Sequence, residues 1–114
     1  MLERLLVLSA VLFAIGLYGT LSRRNVIAVL ISTEIMLNGV NVALVAFSRY
    51  VVPAEVRLAG ANADTAGAVL TGQAFVAFAI VVAAAEVALG LALIITLVRN
   101  RDTTDITEAS LMRR

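Results

Sequence analysis

The chain has 114 residues, of which 61% are hydrophobic and 15% charged, with a formal net charge of +1 and a mean hydropathy of +1.01. Ordinary soluble domains are about 45–50% apolar, so a water-soluble fold of this length has nowhere to hide the excess. No basic stripe with interleaved aromatics offers itself to nucleic acid, and the absence of Cys and His excludes disulfides, thiol catalysis, imidazole bases and the usual zinc or haem ligands within this chain.

Three apolar runs follow one another. Leu5 to Leu21 carries no charge and is at the short end of what crosses a hydrocarbon core about 30 Å thick. A cleaved signal peptide is not expected, because Met1 to Arg4 lacks a basic lead and Tyr18-Gly19-Thr20-Leu21 is a poor cleavage site. Val26 to Phe47 is broken only by Glu34 and the amides of Asn38 and Asn41. Leu70 to Val98 contains Glu86 as its only charge and exceeds the length of one crossing. A bilayer offers backbone groups no water, so each run must be helical. Pro53, the single proline, falls outside all three. The expected fold is an all-α membrane protein, one domain over 1–114, with transmembrane helices at about 3–21, 26–48 and 73–98.

Between the last two helices, residues 49–72 form an outer loop rich in Ala and Gly, with Pro53 opening a short amphipathic segment. Residues 99–114 form a polar tail, expected to lie along a neighbouring subunit or to be solvated. Orientation follows from arginine, since there is no lysine. Arg23, Arg24, Arg99, Arg101, Arg113 and Arg114 share one side, against Arg4, Arg49 and Arg57 on the other. Positive residues stay inside, which predicts the N-terminus outside and the C-terminus cytoplasmic.

The two intramembrane acids are the informative residues. Insertion scales assign roughly 2.5–3.5 kcal/mol to an Asp at a helix centre, a penalty that a structural protein avoids with Leu. At 1.5 Å per residue, Glu34 lies about 15 Å from Arg24 and Glu86 about 20 Å from Arg99, so both are expected at similar depth. Desolvation disfavours the charged carboxylate there, which poises it to load and release a proton. Glu34, Asn38 and Asn41 follow an i, i+4, i+7 stripe that should not face lipid. Ala79, Ala83, Glu86 and Gly90 make a shallow face on the third helix, with a similar face at Ala10, Gly16 and Gly19 on the first. Small faces let helices approach closely. The plainer alternative is that the acids are interhelical anchors serving assembly, and that Arg23 and Arg24 only set topology.

Three segments carry a family likeness: Leu12-Phe13-Ala14-Ile15-Gly16-Leu17-Tyr18-Gly19, Arg23-Arg24-Asn25 and Glu34-Ile35-Met36-Leu37-Asn38. It resumes at Gly72-Gln73, is strongest from Ala83 through Glu86 to Ala92, and continues to Arg99-Asn100-Arg101. These residues resemble subunit K of the proton-pumping NADH-quinone oxidoreductases, whose mitochondrial counterpart is subunit 4L of complex I. The tail is most similar to cyanobacterial and chloroplast versions, while the stretch from Ala59 to Gly67 is longer than is usual in the family. The resemblance implies a three-helix subunit of the membrane arm, partnered by quinone-proximal and antiporter-like subunits in the lipid bilayer. It implies that Glu34 and Glu86 act as proton-relay residues linking quinone reduction to proton translocation, with Asn38, Asn41, Arg23 and Arg24 as candidate supporting residues. It further implies that this chain binds no cofactor, quinone and NAD(H) or another donor being used by the complex, and that the site is the cell membrane or a thylakoid. A small subunit of a cation/proton antiporter and a purely structural assembly subunit are the alternatives.

Overall fold

The computed structural model of the chain describes residues 1–51 and 63–108. The segment expected at Pro53 and the last residues of the tail lie outside that range. Three helices make up the fold: α1 (Leu2–Ser22), α2 (Val26–Tyr50) and α3 (Ala63–Arg101). Each is long and apolar enough to cross a membrane.

The third helix begins at Ala63, within the expected outer loop and well before residue 73, the start set by the length of one crossing. Hydropathy marks where hydrocarbon begins, not where helical hydrogen bonding begins. The stretch entering the apolar run contains no proline to interrupt it. The hydroxyl of Thr71 donates back to the carbonyl of Gly67 at 2.8 Å, a bond made within a continuous helix.

α2 occupies the centre. It packs against α1 on one side and α3 on the other, while among the described residues the backbones of α1 and α3 do not approach each other. The result is an open layer one helix thick. Among the described residues no large side chain is fully buried, and the buried apolar positions are Ala46, Val76, Ala83 and Ile94. Such a layer has little interior of its own. Its cohesion comes from close backbone approach, as expected where lipid removes the hydrophobic drive between helices.

The α1–α2 seam shows this directly. A Cβ placed on Gly16 would stand 2.5 Å from the backbone nitrogen of Met36 and 2.6 Å from the carbonyl oxygen of Ser32. One on Gly39 would stand 2.9 Å from the carbonyl oxygen of Ser9. At Gly39 itself the Ser9 hydroxyl donates to the glycine's carbonyl at 2.6 Å, buried from solvent. Ala10 does not join this face and is exposed. At about 100° per residue, the position in line with Gly16 is Ser9, one step earlier.

Gly16→Leu should therefore force α1 off α2, at a cost of about 1–3 kcal/mol or more. Ser9→Ala should cost about 0.6 kcal/mol and at most about 1.7. The SDS-denaturation midpoint of the detergent-solubilised protein measures both, and equal effects from the two substitutions would contradict backbone approach as the stronger constraint.

Candidate intramembrane carboxylate site

The register between α2 and α3 sets the height of the two acids. Gly90 lies against Leu30, and a Cβ there would stand 2.8 Å from Leu30 Cδ1. At the far end Gly72 lies against Ser48. The spacing from Leu30 to Ser48 equals that from Gly72 to Gly90, so one antiparallel register holds along the whole contact. Four residues on from Leu30 is Glu34, and four back from Gly90 is Glu86. The two acids are level, and Glu34 sits about 6 Å from the midpoint of α2.

Level does not mean adjacent. Glu34 lines a crevice of about 310 Å³ with Ile27, Ile31, Ile35, Val87 and Leu91. Glu86 lines another of about 280 Å³ with Leu37, Val40, Ala79, Val82 and Ala83. At about 100° per residue, the α2 residues of these two crevices fall on opposite sides of the line where α2 meets α3. The acids thus face opposite surfaces of the layer. Glu34 is half-buried and Glu86 exposed. Among the described residues neither carboxylate has a hydrogen-bond or ion-pair partner, and no group of acids, His or Cys is arranged to hold a metal ion.

The amides divide between these environments. Asn38 is exposed and shares a crevice with Leu5, Val42 and Val76, on the same surface as Glu34. Asn41 is half-buried and lines both that crevice and the one holding Glu86. The stripe of Glu34, Asn38 and Asn41 is therefore directed along the α3 side of α2.

Arg23 and Arg24 lie apart from the acids, in the exposed turn between α1 and α2. Arg23 is extended, with φ −104° and ψ 138°, and ends α1. Asn25 starts α2: its side-chain oxygen accepts from the backbone N–H of Ile27 at 2.9 Å, the role expected of Asn before an apolar run. Sequence reasoning passed over that cap, although the signal was present.

The described part of the tail returns to this same turn and does not run freely into solvent. Asp102 has φ 52°, in the left-handed region, and reverses the chain after α3. The backbone N–H of Val26 then donates to the Thr104 carbonyl at 3.0 Å, and that of Ile106 donates to the Arg24 carbonyl at 3.0 Å. The Asn25 amide donates to the Thr104 hydroxyl at 3.3 Å. Asp105 closes a local turn by accepting from both the hydroxyl and the backbone N–H of Thr107, at 2.7 and 2.8 Å.

The matches to known proteins cover this whole arrangement. Residues 4–114 match the model of the family described as NADH-ubiquinone/plastoquinone oxidoreductase chain 4L. The chain belongs to that family. It is 42% identical over 112 residues to an NAD(P)H-quinone oxidoreductase subunit 4L of Leptolyngbya boryana, covering 98% of this chain and 97% of that one. It is 44% identical over 109 residues to an NADH-quinone oxidoreductase subunit K of Brevibacillus brevis, covering 96% and 92%. A chloroplastic subunit 4L of Chlorokybus atmophyticus is 42% identical over 113 residues, covering 99% and 98%. The matched span of this chain 4L homologue includes both acids, the arginine turn and the returning tail.

The Asp105 carboxyl lies below its ordinary value of 3.8, first because the Thr107 hydroxyl bonds its charged form, then because the Thr107 backbone N–H does, with the Arg24 charge assisting and burial opposing. A carboxyl lowered by folding holds the turn together when ionised. That contribution is complete above the ordinary value and is lost as pH falls through the lowered one. Hydrogen-exchange protection of the Thr107 N–H, corrected for intrinsic rate, should therefore drop as pH falls below 3.8. Protection that ignores pH in that window would contradict the Asp105 turn.

Proposed function

We propose that the chain is a membrane-arm subunit of a complex I-type NADH-quinone oxidoreductase. In this role Glu34 and Glu86 relay protons during translocation coupled to quinone reduction. The observation carrying this is the level placement of two carboxylates on α2 and α3 near mid-helix, Glu34 in an otherwise apolar crevice and Glu86 in one whose only other polar side chain is Asn41. Membership of the chain 4L family supports the assignment to the complex.

Ionisable groups at such depth are functional by default, because their cost must be offset by partners. Here the partners must come from neighbouring subunits covering the two surfaces of the layer, quinone-proximal and antiporter-like ones by resemblance. Coupling then needs two states of the complex in which the acids hold protons with different affinity, since a relay of one fixed affinity cannot pump. Asn38 and Asn41 support the relay by ordering water through donor and acceptor groups on one side chain. Arg23 and Arg24 belong to the cytoplasmic face, with the N-terminus outside and the C-terminus inside, in the cell membrane or a thylakoid. Quinone and NAD(H) or another donor are substrates of the complex. No electron passes through this chain.

Glu34→Gln and Glu86→Gln keep size and remove titration. Each should leave an assembled complex whose proton pumping and coupled quinone reduction fall by about tenfold or more. Dye quenching in inverted vesicles reads this. If both variants assemble and pump normally, the subunit is a structural one; sodium-dependent antiport in place of quinone-coupled pumping would instead select an antiporter complex. Orientation is tested separately. The chain has no Cys, so a single Thr107→Cys should react with an impermeant thiol reagent only from the cytoplasmic side.

A further inference from the structure

The two acids sit level on opposite surfaces of the layer, so a proton passing between them must cross the α2–α3 seam. Two residues, one on each side of the acid level, reach through that seam. Towards the cytoplasmic end Leu30 lines both the crevice of Glu34 and the one formed with Thr33 and Leu97 on the other surface. It is apolar and seated on Gly90, with a Cβ of that glycine only 2.8 Å from its Cδ1. Towards the other end Asn41 lines the crevice of Asn38 and the crevice of Glu86.

The register sharpens the contrast. Seven residues on from Glu34 is Asn41, and seven back from Glu86 is Ala79, so the residue level with Asn41 on α3 is small. Ala79 lines the Glu86 crevice together with Asn41. Leu30 thus fills the seam with hydrocarbon at its level, whereas at the level of Asn41 the α3 residue, Ala79, offers only a methyl group. The Glu86 crevice of about 280 Å³ has room for several waters at about 30 Å³ each. An amide carries two donors and a carbonyl acceptor, so it can hold water on both sides of the seam at once.

Resting on the relay function proposed above, we infer that Asn41 is the point at which protons cross from the Glu34–Asn38 surface to the Glu86 surface, by ordering a water chain through the gap opposite Ala79. Asn41 takes up no proton itself. It is a positioning residue: water oxygens carry the proton, one O–H bond breaking as the next forms, from a protonated Glu34 to an ionised Glu86 or in reverse.

The test uses the whole complex in native membrane vesicles. Asn41→Leu closes the gap from α2 and Ala79→Leu closes it from α3. Either variant, once assembled, should pump about tenfold more slowly, while oxidation of the electron donor by an artificial acceptor that bypasses quinone is unchanged. Asn41→Ser and Asn41→Gln, which still hold water, should restore most of the pumping. A role in packing alone would not sort the variants by hydrogen-bonding capacity. Normal pumping by assembled Asn41→Leu, with Glu34→Gln and Glu86→Gln still impaired, overturns the crossing at Asn41 and leaves the relay standing. Failure of all the Asn41 and Ala79 variants to assemble also overturns it, in favour of packing. Normal pumping by the two Glu→Gln variants removes the relay itself.

Discussion

The contact of small residues on α3 with α2 is the constraint from which the rest of the site follows. Gly90 against Leu30 and Gly72 against Ser48 fix a single register over most of the shared length. A slip of one turn, about 5.4 Å, would leave one acid deeper than the other and move Asn41 away from Ala79. A Cβ at Gly72 would stand 2.9 Å from the Cβ of Ser48 and push the helices apart, whereas one at Gly90 would have to displace the end of the Leu30 side chain. The level of the two acids therefore depends in part on Gly72, a glycine far from either carboxylate along α3.

The same economy leaves the subunit incomplete by itself. Among the described residues the backbones of α1 and α3 approach only α2, and both surfaces of the layer are open. Glu86 is exposed in the single chain, which is untenable in hydrocarbon given a cost of roughly 2.5–3.5 kcal/mol for an acid at helix centre. Neighbouring protein must cover it. The exposed apolar residues elsewhere, such as Val81 and Leu89, can face lipid or protein without penalty, so on the proposed reading the acids and not the hydrophobic surface specify where partners bind.

Much of this was legible in residues 1–114 taken as text. Unbroken apolar runs leave helices as the only spanning structure, and the depth of Glu34 and Glu86 follows from counting residues. What was not legible depends on rotation and on contacts distant in sequence. Glu34, Asn38 and Asn41 form a stripe by spacing alone, but which of them reaches both surfaces of the layer is decided by where α3 lands. Ser9 was hidden for a similar reason: a 100° step separates it from Ala10, and only the position of α2 shows which of the two is buried. α3 starts earlier than expected because the length of one crossing limits the hydrocarbon span and not the helical hydrogen bonding.

The returning tail shows how much a polar segment can gain from local partners. Composition alone makes residues beyond Arg101 look like a solvated end. The α1–α2 turn, however, presents a free carbonyl at Arg24 and a free N–H at Val26, because Asn25 between them is extended at the start of a helix. A strand-like segment reversing at Asp102 satisfies both groups, and the Asn25 side chain serves the helix start through Ile27 and the tail through Thr104. The end of α3 is thereby tied to the start of α2. That link acts at the Leu30–Gly90 end of the seam whose register sets the level of Glu34 and Glu86, so the tail and the small-residue contacts oppose the same sliding motion from different positions along it.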